Sequence, residues 1–419
     1  MTSPMAPPPQ DPPIPAGPDE PKTLQPKALQ PKTLQPVTLQ PVTTLELFFD
    51  LVFVYTLTQL TVLIAHDLTW ATAGRVVLIF TVLYWMYGAY AYLTNQVPPD
   101  RPSRRLLMLL GMAAFLICAL SIPHVFDAHS NAGVVFGLGY LLVVLVHSVL
   151  YTRSHGNDVI WYAVPNSLAA LAITGAGLCT GLAADGLWLT AIVVQFVTPH
   201  IAEHGPTRRS ARRAAELRTQ LGALHPGHFV ERHGLLLIVS FGESVVAIGV
   251  GIGDLPFTAS VFTGVFLALA LAGALWWTYF VRDEGGAERA FAATPPDRRF
   301  HLAMTAYYYA FLPMLLGVAF LAAGIKKSLG HIGEHLHAGP ALALAGGVAL
   351  FLAGDVAFRA SMRLFPLGFR AAAVPVVLAT AFLGLRVSAL AQLLVLVVAL
   401  VVMLAAEARW SPACAAQPT

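Results

Sequence analysis

ERHGLLLIVSFGESVVAIGVGIG, residues 231–253, decides the fold. After the opening Glu-Arg-His the stretch runs on in apolar and small residues, with Glu243 its only further ionisable side chain. About 20 such residues cross a bilayer as a helix, and the absence of strict two-residue alternation excludes a transmembrane β-strand. The rest of the chain agrees. Of its 419 residues 57% are hydrophobic and 11% charged, against roughly 25% charged in a soluble domain.

Similar runs predict spans at 45–65, 73–93, 105–123, 133–152, 160–180, 185–200, 233–253, 258–281, 300–325, 340–358, 369–386 and 388–407. The expected fold class is all-α: a polytopic transmembrane helical bundle of about twelve spans. Charge gives its orientation, because Lys and Arg collect in cytoplasmic loops. With the N-terminus inside, 21 of the 25 Lys and Arg residues fall on the cytoplasmic side, leaving Arg75, Lys326, Lys327 and Arg386 outside. Both termini are therefore expected in the cytoplasm, and the protein in a bacterial cytoplasmic membrane.

The expected organisation has five parts. Residues 1–44 hold thirteen of the thirty prolines and repeat TLQPK, ALQPK, TLQPV, TLQPV over 23–42. Proline every fifth residue removes donors and fixes φ, so this reads as a disordered or polyproline-like cytoplasmic tail. It lacks the pattern of a cleaved signal, so the first span is expected to direct insertion. A first six-span half (45–200) is followed by a basic linker (201–230) with Arg208, Arg209, Arg212, Arg213 and Arg218, a second half (231–407) and a C-terminal tail (408–419). YWMYGAYAY then PPDRPSRR after span two is echoed by LWWTYF then PPDRR after span eight. The two halves share an orientation, which allows a parallel repeat.

Net charge is +3 and gives no reason to expect nucleic acid as a partner. Membrane lipids and a small-molecule or ion substrate are the expected ones. Cys118, Cys179 and Cys414 are widely spaced and suggest neither a disulfide framework nor zinc. HIGEH at 331–335 fits a zinc-binding pattern, but its loop setting and lack of a suitable third acidic ligand argue against a metal. No cofactor is expected. The tyrosines of 84–92 and Tyr307, Tyr308 and Tyr309 read as an interfacial aromatic belt, and His225, His228 and His233 as interfacial polar residues.

An ionisable group inside a bilayer is a functional hypothesis by default. The candidate substrate- or ion-binding residues are Glu46, Asp50, Glu231, Arg232, Glu243, Ser244, Asp355 and Arg359. Glu46 and Asp50 stack at i, i+4 and repel unless they share a proton or a cation joins them, and Arg232 and Arg359 lie at matching depth. That set makes either a packing network or a cytoplasmic vestibule. Glu243 is at mid-span among Gly242, Ser244, Ala247 and Gly249, where a carboxylate must be protonated, paired or facing a polar cavity.

LELFFDLVFV (45–54), RRLLMLLGMAA (104–114), ERHGLLLIVSFGESVVAIG (231–249) and LWWTYF (275–280) together resemble the bacterial low temperature requirement A family of integral membrane proteins. The resemblance spans about residues 44–407. It marks Glu46, Phe48, Phe49, Asp50, Arg105, Glu231, Arg232, Gly234, Gly242, Glu243, Ser244, Trp277 and Tyr279. Many members carry a His before the Leu-Pro of span nine, where this chain has Phe311. The family name fixes no reaction. The expected function is a secondary transporter or permease with an intramembrane carboxylate site. The alternatives are a membrane-embedded enzyme acting on a lipid or isoprenoid, and a non-catalytic scaffold.

Overall fold

A computed structural model describes residues 42–127, 129–155, 160–204, 223–253, 255–256 and 258–410. The Pro-rich repeat, residues 205–222 of the basic linker and the tail from 411 lie outside the described residues. The helices are α1 (Thr44–His66), α2 (Trp70–Gln96), α3 (Pro102–Ser121), α4 (Ala132–His155), α5 (Ile160–Ala176), α6 (Leu182–His204) and α7 (Pro226–Ile252). There follow α8 (Ala259–Ala293), α9 (Pro296–His331), α10 (Ala338–Met362), α11 (Gly368–Arg386) and α12 (Ala389–Trp410). Ten are long and apolar enough to cross a membrane, and α5 and α6 contribute the shorter apolar stretches Ala163–Ala176 and Leu182–Val197. No strand occurs among the described residues. The protein is a polytopic membrane helical bundle.

Local chemistry sets several helix starts. Thr43 and Glu46 form a reciprocal capping box at the start of α1, satisfying donors that a helix N-terminus leaves free. Pro102 and Pro226 open α3 and α7 at positions where a missing N–H costs nothing. Two spans contain π-helical turns: α8 over Tyr279–Asp283, and α9 over Met304–Ala310. Each resumes α-helix afterwards. This carries α8 well past the residue 281 expected from hydropathy, since Glu284–Ala293 are polar yet helical.

Packing follows a repeated order. Helix α1 packs on α3, α3 on α4, α4 on α5 and α5 on α6, and α6 returns to α2. In the second set α7 packs on α9, α9 on α10, α10 on α11 and α11 on α12, and α12 returns to α8. The sets meet where α1 and α2 touch α7 and α9. Between α9 and α10 the backbones approach so closely that a Cβ on Gly317 would lie 2.6 Å from the Phe351 nitrogen, and one on Gly347 2.5 Å from that of Leu321. Small residues permit this packing in a membrane, where helix association depends on close contact. Leu106, Leu120, Phe266 and Val402 are exposed on the outside, as a lipid-facing surface requires.

Most of the aromatic belt expected from sequence is instead core, whereas Tyr309 is exposed. Tyr84, Tyr87, Tyr90 and Tyr307 are buried; Phe49 stacks on Tyr87 and Tyr90, and Phe53 packs at a tilt against Tyr87. Their hydroxyls explain the placement, because three find interior acceptors: Tyr87 donates to Asp50 Oδ1 at 2.9 Å, Tyr90 to the Val143 carbonyl at 3.0 Å and Tyr84 to the Tyr307 carbonyl. A tyrosine so partnered can leave the interface.

Candidate functional site

The arginine-rich end of the bundle holds two buried ion networks, and a third candidate stands apart from both. In the first network Glu46 and Asp50 of α1 converge on Arg232 of α7. Arg232 donates through Nη1 to Glu46 Oε1 at 3.2 Å and through Nη2 to Asp50 Oδ1 at 3.2 Å, and all three side chains are 1% exposed. The guanidinium also donates to Thr94 of α2 and lies 5.6 Å from the Phe49 ring centroid. Charge pairing thus removes the repulsion expected between two stacked carboxylates.

His228 completes this network, and its tautomer follows from a neighbour. The Asn95 amide is oriented by reciprocal bonds to the His225 backbone, its Nδ2 donating at 3.0 Å and its Oδ1 accepting at 2.9 Å. Nδ2 therefore also donates to His228 Nδ1 at 3.1 Å, and His228 Nε2–H donates to Glu46 Oε2 at 3.2 Å. Glu46 is then both a helix cap and an ion-pair partner. Asp50 is lopsided: Oδ1 takes Tyr87 and Arg232, while buried Oδ2 has no hydrogen-bond partner.

The second network joins Asp283 of α8, Asp355 and Arg359 of α10, Arg370 of α11 and Glu407 of α12. Arg370 Nη1 donates to Asp283 Oδ2 at 2.5 Å and Asp355 Oδ2 at 2.6 Å, and its Nε to Glu407 Oε2 at 3.0 Å. Arg359 Nη1 reaches Glu407 Oε1 at 2.7 Å and Asp283 Oδ1 at 3.2 Å. All five are buried. Asp355 and Arg359, four residues apart, serve different partners, and no bond between described residues joins Asp50 to Arg359. Of the two cations matched by depth to Asp50, only Arg232 meets it.

Glu243 lies 11 residues beyond Arg232 on α7, about 16 Å farther along the axis. Its Oε2 accepts from Thr58 Oγ1 of α1 at 2.6 Å, and it is 5% exposed. Among the described residues it forms no ion pair. Half-buried Lys326 acts on it only through space, and Thr61 of α1 lies beside it. Ser244 is fully buried with its hydroxyl unpartnered. Glu231 is exposed, forms no ion pair among the described residues and acts as a like charge on Glu284. Helical rotation explains the difference, since a residue next to inward-facing Arg232 is turned by about 100°.

Sequence reasoning missed Asp283, Arg370, Glu407, His228 and Thr58 as partners. Arg370 and Glu407 were legible as charges at the ends of spans eleven and twelve. Asp283 was not, because the polar residues that follow disguised a continuing helix. His233, expected at the interface, is fully buried among aromatic rings. An apolar groove of about 540 Å³ lies between α11 and α12, lined by Pro366, Phe369, Ala373, Val376, Val402 and Met403 among others, with no ionisable side chain in its lining.

Residues 41–406 match the family model described as bacterial low temperature requirement A protein. An uncharacterized protein of Rhizobium meliloti (strain 1021) is 28% identical over 333 residues, covering 77% of this chain and 78% of its own length. No solved structure matches.

Proposed function

Because the chain belongs to the bacterial low temperature requirement A family, whose name specifies no chemistry, we propose its function from the geometry: a secondary transporter or permease in which Glu243 takes up a proton or small cation. One observation carries this reading. Glu243 is buried, sits about two-thirds of the way along α7 and, among the described residues, is hydrogen-bonded to one neutral hydroxyl, with Lys326 acting on it only through space. A charged side chain at the bilayer centre costs roughly 2.5–3.5 kcal/mol even on mild scales, whereas a hydrogen bond returns about 1 kcal/mol. A carboxylate so placed is held by an exchangeable positive charge.

The two ion networks have the opposite character. Their carboxylates and guanidiniums are mutually bonded, and they tie α1 to α7 and α8 to α10, α11 and α12. We assign the Glu46–Asp50–Arg232 network to closing the arginine-rich end, which the charge bias makes cytoplasmic, with N- and C-termini on that side. The repeated neighbour order supports two parallel six-helix halves, 45–200 and 231–407, flanking the site. A lipid-directed enzyme would present an acid to the apolar groove. Arg370 and Glu407 lie next in sequence to its lining but turn inward onto each other.

The test needs no substrate. Purified protein on a solid-supported membrane should give a transient charge displacement on a pH or Na⁺ jump, and Glu243→Gln should abolish it. Equal displacement in both proteins would remove Glu243 from ion binding.

A further inference from the structure

Between the two ion networks lie three buried side chains that neither network uses: His233 of α7, Tyr279 of α8 and Tyr307 of α9. Each is fully buried, and His233 Nε2, Tyr279 Oη and Tyr307 Oη all lack a hydrogen-bond partner. Buried polar atoms in that state are few in native proteins and call for a reason. The His233 and Tyr307 rings are 4.6 Å apart, and the Tyr279 and Tyr307 hydroxyls are neighbours short of hydrogen-bond geometry. Both tyrosines sit on the π-helical segments of their spans. Such segments are rare and recur at functional sites.

The state of His233 follows from its other nitrogen. Nδ1 lies 2.8 Å from the Phe229 carbonyl, which can only accept, so Nδ1 carries the hydrogen. Nε2 then presents a bare lone pair in the interior. Access is visible on one side: half-buried Glu284 follows directly on the π segment of α8, and its carboxylate rests against Gly234 so tightly that a Cβ there would collide with it. Glu231 and Glu288 are its charged neighbours, and Glu284 acts through space on both tyrosine hydroxyls. Facing His233 are Arg232 and His228 from its own helix, Tyr87 from α2 and Tyr307 from α9.

We infer that Glu284, the Tyr279–Tyr307 hydroxyl pair and His233 form a proton path from the arginine-rich end into the bundle, with His233 Nε2 as the acceptor. In each transfer the Glu284 carboxyl gives a proton to a tyrosine oxygen while that hydroxyl passes its own hydrogen onward. The net result is a carboxylate at Glu284 and an imidazolium at His233, with no change of oxidation state. This deepens the transport reading by naming the ion and its way in, and it rests on that reading for its purpose alone.

The test follows from the tautomer. Nε2 is bare in the resting tautomer, so a proton arriving there converts the neutral ring to imidazolium, and exchange between these two states of His233 reports delivery along the path. It is read by NMR on the full chain in lipid nanodiscs with isotope-labelled histidine. Tyr307→Phe and Glu284→Gln should each slow that exchange by roughly tenfold or more, while the histidine spectrum keeps the same tautomer. Exchange as fast as in the parent protein in either folded variant overturns the path. Because Glu284 is half-exposed, Glu284→Gln decides the matter if Tyr307→Phe fails to fold. Slowed exchange with Glu243-dependent charge movement absent would leave the path standing and the transport reading refuted, and the converse result would separate them the other way.

Discussion

Arg232 and Glu46 are 186 residues apart in sequence and 3.2 Å apart in space. That bond, with the one to Asp50, joins the first helix of each six-helix set. Removing one partner of a buried pair strands the other charge, at a cost of about 3–5 kcal/mol. Arg232→Met should therefore lower thermal stability sharply in detergent. Arg232→Met with Asp50→Asn should recover part of the loss, giving a coupling of roughly 0.5–3 kcal/mol. The combination of Asp50→Asn with Arg359→Met, which touches both networks, should be additive. Melting curves of the single and double variants check all three.

Arg370 holds three carboxylates at once, from α8, α10 and α12. Arg370→Met should be more damaging than Arg359→Met, because it releases Asp355 altogether whereas Asp283 and Glu407 retain Arg359. Adding Asp355→Asn to Arg370→Met should restore part of the stability. Comparing folded yield and melting temperature across the four proteins tests the ranking.

Adjacent glycines on α10 provide a packing control. A Cβ at 347 would strike the α9 backbone, whereas none of its neighbours lies within 4 Å of one at 346. Gly347→Ala should destabilise by about 1–3 kcal/mol, and Gly346→Ala should be neutral or stabilising by up to about 1 kcal/mol. Equal effects would mean that α9 and α10 are less closely packed than described.

Orientation is testable in cells. Cysteines introduced at Ser210 and Ser411 should resist membrane-impermeant thiol reagents until lysis under the proposed topology, which assigns both positions, with 21 of the 25 basic residues, to the cytoplasmic side. Labelling of either site in intact cells would reverse the topology.

The helical class and the positions of the twelve apolar helices were legible because apolar run length is a local property. The carboxylates were legible for the same reason: Glu46, Asp50, Glu243 and Asp355 interrupt apolar runs. Partners were not, since pairing depends on which helices touch. Asp50 could be matched by depth to Arg232 or Arg359, and only the α1–α7 contact decides for Arg232. His233 follows two residues after Glu231 at what hydropathy marks as a span boundary, yet α7 starts earlier, at Pro226, and places His233 inside. The tyrosines of α2 were misplaced because side-chain type alone does not say whether a hydroxyl has an interior acceptor.

The central claim is that the positive charge on Glu243 is exchangeable. Infrared difference spectroscopy in nanodiscs reads this directly, by stepping pH at fixed Na⁺ and then Na⁺ at fixed pH. The account predicts a carboxyl or carboxylate band change on at least one step in the parent protein, lost in Glu243→Gln and retained in Asp50→Asn and Asp355→Asn. An identical band change in folded Glu243→Gln would contradict it.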